Sequence, residues 1–199
     1  SIPADAITAP IINTLTYNGQ PQELVTPGVL DAKYGTIQYS LSRSASSFST
    51  EIPTGTDAGT YKVYYKVMGN DDYKDGNRTY TLTATIGPKT LYLVNATLAE
   101  KIYDGTADAV ITEAIFAGLV DGDTLTIGTD YTATGKFMDT NTGEADANAG
   151  NDKSVSVMVR LTGNVKNYTL HSGDSSTLVI YKCTIQKATA PAATPGDLY

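Results

Sequence analysis

Apolar and polar side chains alternate with a period of two along three long stretches. Tyr61, Val63, Tyr65 and Val67 alternate with Lys62, Tyr64, Lys66 and Met68. Val155, Val157, Val159 and Leu161 alternate with Ser154, Ser156, Met158 and Arg160, and Tyr80, Leu82, Ala84 and Ile86 alternate with threonines. A period of two sets one face of a strand against a core and the other against solvent. Shorter runs predict further strands at 22–25, 36–41, 91–95, 107–112, 124–127, 131–137 and 177–185. Turn dipeptides punctuate them: Asn18-Gly19, Pro27-Gly28, Asp75-Gly76, Asp104-Gly105 and Asp121-Gly122. A helix is conceivable only over 107–119, where Val, Ile and Thr favour strand. The expectation is an all-β protein of sandwich type.

The pattern also repeats. Thr16-Tyr17-Asn18-Gly19-Gln20 returns as Ile102-Tyr103-Asp104-Gly105-Thr106, and Asp57-Ala58-Gly59 returns as Asn148-Ala149-Gly150. An alternating strand follows each, then Met68-Gly69-Asn70 or Thr162-Gly163-Asn164, then Tyr73 or Tyr168. Two copies of a module of roughly 90 residues fit the chain. Gly87-Pro88 marks the boundary, because proline is excluded from central strands. The expected division is a linker at 1–9, one domain at 10–87, a second at 88–187 and an Ala/Pro/Thr-rich linker at 188–199. Thr8-Ala9-Pro10 and Thr189-Ala190-Pro191 echo each other across the pair. With the abrupt start at Ser1, this is expected of a segment from a longer array.

Composition narrows the function. The 199 residues carry 14 basic and 21 acidic side chains, a formal charge of −7, which argues against nucleic acid and anionic membrane surfaces. No apolar run reaches the length of a membrane span. There are 30 Thr, 14 Tyr and 18 Gly, with one Cys, one His and no Trp. A lone cysteine forms no internal disulfide, and a single histidine leaves little for a triad or a metal.

Asp57-Ala58-Gly59-Thr60-Tyr61 resembles the corner of immunoglobulin-like domains where a tyrosine hydroxyl ties back to the backbone. In the second copy Asp152 stands where that tyrosine would, so its corner must be held otherwise. The segment from Leu15 to Gln20, Ile52 to Tyr61 and the Tyr-Lys-Val strand resemble MBG-type repeats of bacterial surface proteins. Lys101 to Thr106, Asn148-Ala149-Gly150, Leu161 to Asn164 and Asn167-Tyr168-Thr169 resemble the YDG-type repeat. The resemblance implies two tandem immunoglobulin-like β-sandwich domains in a secreted or cell-surface, hence extracellular, protein. It implies a non-catalytic spacer that presents neighbouring immunoglobulin-like modules of the same chain, and it supplies no catalytic residue. The rival reading is an adhesin module that binds host glycan or matrix protein through exposed tyrosines, with Tyr64 the first candidate because it points away from the core. The test between them is whether exposed tyrosines share one face.

Other chemistry is sparse. Asp139, Asn141, Glu144 and Asp146 surround Gly143 in an apparent insertion, and such oxygen ligands suit calcium; a solvated polar loop explains them equally. No other cofactor is expected. Asp121 and Asp123 are adjacent turn acids rather than a facing glycosidase pair. Cys183 reads as a small core residue, and His171 sits in a loop. Asn77, Asn95 and Asn167 fit the N-glycan acceptor pattern, a chance match if the chain is bacterial as the resemblance implies. A Lys–Asn isopeptide, a device of Gram-positive surface domains, would need a buried lysine, asparagine and acid together; Lys62, Lys66 and Lys153 lie on or beside strands.

Overall fold

A computed structural model describes residues 2–76, 78–163 and 165–190. Long strands dominate, with three short 3-10 turns, and no helix among the described residues is long and apolar enough to cross a membrane. The chain divides into two compact units. One runs up to Lys89 and includes Lys166–Tyr168; the other comprises Thr90–Val165 and the chain from Thr169 on.

In the first unit a four-stranded sheet runs Thr14–Thr16, Thr79–Gly87, Gly59–Met68, Thr36–Ser40. The long antiparallel pair sets Thr79 opposite Lys66 and Ile86 opposite Gly59, and Thr14–Thr16 lie parallel to the last strand. Val63, Tyr65, Val67, Ala84 and Ile86 are buried, the face that the alternation assigns to the core. Two-stranded ribbons complete the unit: Ile7–Thr8 with Val29–Leu30, Ile11–Ile12 with Val25–Thr26, and Gln22–Glu23 with Thr54–Gly55. Ile7 and Thr8, expected in a linker, are thus paired. The run expected at 22–25 breaks at Leu24, which is fully buried between two ribbons.

The second unit holds a five-stranded sheet in the order Lys101–Ile102, Ser176–Gln186, Gly150–Leu161, Tyr131–Met138, Asp108–Ala109. A three-stranded sheet runs Ile111–Ala117, Lys89–Leu98, Tyr168–Leu170. The expected strand at 107–112 passes from one sheet to the other at Val110, which is exposed. That crossing puts Ala109, Ile111 and Ala114 into one core with Tyr131, Phe137, Val155, Val157, Val159 and Ile185. Gly135 makes it possible: a Cβ there would lie 2.7 Å from Ile111 Cδ1 and 3.0 Å from Ala109 Cβ. The strand expected at 124–127 is a loop. Thr126 N–H donates to Asp130 Oδ2 (2.7 Å), and Gly128 N–H donates to the Tyr131 carbonyl, so a tight turn replaces the ladder.

The two larger sheets share an order. In each, a short strand before a Tyr-x-Gly turn lies parallel to the unit's last long strand, which pairs antiparallel with the preceding long strand.

Candidate functional site

The corner and turn residues that mark the repeat carry several of the polar side-chain contacts. At the first corner Tyr61 Oη donates to the Asp57 carbonyl at 2.7 Å. Asn167, which groups with the first unit, grips the same loop: its Oδ1 accepts from Ala58 N–H (2.8 Å) and its Nδ2 donates to Asp57 Oδ1 (3.0 Å). Hydrogen bonds from Asn167, then Lys166 at 3.2 Å, lower the Asp57 carboxyl below its usual range. Gly55 is needed beneath this corner, since a Cβ would meet the Tyr61 ring at 2.8 Å.

The second corner is held by charge. Asp152 adopts φ 57°, and the ladder to the partner strand slips on both sides of the Lys153–Cys183 pair. Lys182, in the opposing strand, has φ 62°. These paired bulges interrupt the alternation, so Lys153, Ser154 and Val155 are all buried in sequence. The Lys153 side chain, 8 % exposed, meets Asp146 Oδ2, whose side chain is 15 % exposed. Asp146 Oδ1 accepts from both the backbone N–H and the Nδ2 of Asn148, each at 2.9 Å. Lys153, then the Asn148 N–H, lower the Asp146 carboxyl. Asp146 N–H also donates to the Phe137 carbonyl (3.0 Å) and Thr140 Oγ1 to the Asp152 carbonyl (2.7 Å).

This arrangement bears on the calcium candidates. Asp146 is engaged with Lys153. Asp139 Oδ1 accepts from Asn141 N–H (2.8 Å) and Thr142 N–H (2.9 Å), bonds that lower its carboxyl, and Gly143 turns back at φ 71° to donate to the Asp139 carbonyl. Asn141 and Glu144 are exposed. Among the described residues no three His, Cys, Asp or Glu side chains are grouped to hold a metal ion.

The Tyr-x-Gly turns are alike in backbone. Asn18 Oδ1 accepts from Gln20 N–H and Asp104 Oδ1 from Thr106 N–H, both at 2.9 Å, with Gly19 and Gly105 at φ 77° and 83°. Their tyrosines differ. Tyr17 is buried edge-on to Tyr168 (5.4 Å), whereas Tyr103 is exposed. Lys101 Nζ, on an 11 % exposed side chain, lies 2.5 Å from Asp104 Oδ2 and 3.0 Å from Thr106 Oγ1, and this lowers the Asp104 carboxyl to about 2.

Tyr64 does lie on the face opposite Val63 and Tyr65, but it is half-buried beneath the Arg43 guanidinium at 5.5 Å. The more exposed tyrosines are Tyr80 in the first unit and Tyr92, Tyr103 and Tyr181 in the second. Their ring contacts run inward or sideways: Tyr80 stacks on Tyr65, and Tyr92 stacks on His171 at 4.6 Å. Other tyrosine hydroxyls serve the backbone. Tyr39 Oη accepts from Gly28 N–H (2.8 Å), and Tyr131 Oη from Ala114 N–H (2.9 Å). Cys183 Sγ faces the Ile180 and Tyr181 carbonyls, and burial pushes its thiol up. Asp121 and Asp123 flank Gly122 in a turn at φ 90°. Lys62 is exposed, and Lys66 Nζ lies 4.5 Å over the Phe48 ring. Asn77 lies outside the described residues, as do 191–199 of the expected C-terminal linker.

The alternation of Val155, Val157 and Val159, extended back by two residues, falls on Lys153, but it gave no sign of the Asp146 partner, nor that Ser154 is buried too, where the ladder slips. The role of Asn167 was equally hidden, since its partners lie more than 100 positions away.

Residues 87–177 match the model of the YDG domain. No curated protein and no solved structure is a significant match.

Proposed function

We propose that the chain is a non-catalytic structural segment of a bacterial surface or secreted protein, whose work is to space and present neighbouring modules outside the cell. The reading takes both units as immunoglobulin-like and the first as an MBG-type repeat beside the YDG-type second. Support comes from the YDG match over 87–177 and from the sheet order common to the two units. The observation that carries the reading is where the polar side chains point. The tyrosine hydroxyls of Tyr39, Tyr61 and Tyr131 and the carboxylates of Asp104, Asp139 and Asp146 all bond the chain's own backbone. Groups used in this way fix loops and corners; they are not offered to a substrate.

The adhesive reading draws on Tyr92, 47 % exposed and stacked on His171, and on Tyr181, 64 % exposed. Flat aromatic surfaces of this kind stack on sugars and anchor protein interfaces. A panel of glycans and extracellular-matrix proteins decides between the two, probed with the folded chain in calcium and in chelator. The spacer reading expects no saturable binding in either condition. Saturable binding that a Tyr92→Ala or Tyr181→Ala variant abolishes would replace it with the adhesive one.

A further inference from the structure

The most unusual side chain outside the repeat motifs is Lys153. A lysine with 8 % of its side chain exposed is costly, and proteins tolerate it only with a close partner. Here the partner is a single carboxylate, also largely shielded, and the backbone is bent to bring the two together. Asp152 takes a left-handed conformation and the ladder bulges on both sides of Lys153. Backbone irregularities of this kind cluster where a side chain is being aimed.

The surroundings of Asp146 are polarised. Oδ2 faces the Lys153 amine. Oδ1 receives two donors from one residue, the N–H and the Nδ2 of Asn148, at 2.9 Å each. A carbonyl oxygen held by two preorganised N–H groups, with a nucleophile at the same carboxyl, is the arrangement that stabilises a tetrahedral addition. A nucleophile fixed against its electrophile gains the large effective concentration of an intramolecular reaction.

We propose that Lys153 and Asp146 condense into an intramolecular amide that clamps the second corner covalently. Lys153 Nζ first passes a proton to Asp146 Oδ2, giving a neutral amine and a neutral acid. The Nζ lone pair forms a bond to Asp146 Cγ, and the carbonyl electrons move onto Oδ1 between the two Asn148 donors. A second Nζ proton goes to Oδ2, the Cγ–Oδ2 bond breaks, and water leaves. The product is a secondary amide with Oδ1 as its carbonyl. Nothing is oxidised or reduced, and no co-reactant is needed.

High-resolution intact mass of the folded 199-residue chain tests this, followed by tryptic mapping. The expected result is a deficit of one water. Trypsin then fails to cut after Lys153, giving a single 137–160 peptide short by that same water. Lys153→Arg should restore the full mass, and Asn148→Ala should slow or reduce closure in freshly refolded protein. A full mass with normal cleavage at Lys153 would overturn the proposal and leave an ion pair. A deficit of one ammonia would overturn it by placing the bond on Asn148. A water deficit with Lys153 still cleaved by trypsin would also overturn it, because that marks a succinimide at Asp146.

Discussion

The two corners occupy equivalent places in their units and are built from different forces. At Asp57–Tyr61 a neutral phenol reaches back to a backbone carbonyl, and an asparagine side chain ties down the loop. At 148–153, in a bulged stretch, a buried lysine meets a carboxylate that is itself gripped by asparagine. The first solution depends on hydrogen bonds, an exposed ion pair between Lys166 and Asp57, and one aromatic ring packed over Gly55. The second depends on keeping opposite charges, or the amide they form, out of water. A missing tyrosine in the repeat therefore signals a replaced device rather than a weaker corner. The cost of losing each device should differ, because removing one partner of a shielded ion pair leaves the other charge stranded.

The largest effect should come from the floor of the second corner. Phe137 is buried opposite Val155, and its carbonyl receives the Asp146 N–H. Phe137→Ala should cost about 3–5 kcal/mol, as large core truncations do. Urea unfolding should report it, and amide exchange should show the loss across 131–161. A cost under about 1 kcal/mol would mean that this corner does not rest on the core. Lys153→Ala should come next and should exceed Tyr61→Phe in the same assay. Tyr61→Phe removes one hydrogen bond while keeping the ring, so about 0.5–1.5 kcal/mol is expected. Equal effects would erase the distinction between the two devices.

Much of the architecture is visible in the alternation alone. Val63, Val67, Val155, Val157 and Val159 fall on buried faces because a two-residue period admits no other arrangement on a one-sided strand. What escapes it is everything that depends on register slips or on distant partners. The passage between sheets at Val110 looks like one continuous strand in sequence. Thr124–Ile127 has strand-forming residues, yet Asp130 captures the Thr126 N–H and closes a turn. Ser154 reads as a solvent-facing residue of the alternating run, yet it is buried where the ladder slips beside Lys153. The oxygen-rich loop read as a calcium candidate places Asp139 and Asp146 near each other, but each carboxylate already serves a nearby donor. The type of residue was informative there, and the partner was not.

The smallest effect offers the cleanest contrast, because the two Tyr-x-Gly turns share a backbone and differ in one charge. Asn18 and Asp104 make the same 2.9 Å bond to the N–H two residues on, but only Asp104 also faces a lysine. The Asp104 carboxyl is lowered to about 2 by Lys101 first, then by the Thr106 N–H. A depressed folded-state value means that the carboxylate contributes stability above its unfolded value, near 3.9. That contribution fades as pH falls through 2, and below it both states bind the proton. Asp104→Asn should therefore lower the urea midpoint at pH 5 and become indistinguishable from the native chain only below pH 2. Asn18→Ala removes an uncharged acceptor, so its deficit of about 0.5–1.5 kcal/mol should persist across the same range. An Asp104→Asn deficit that stayed constant from pH 5 to pH 2 would show that the turn is held by its backbone bond alone, with Lys101 contributing nothing, and the two turns would then be equivalent in energy as well as in shape.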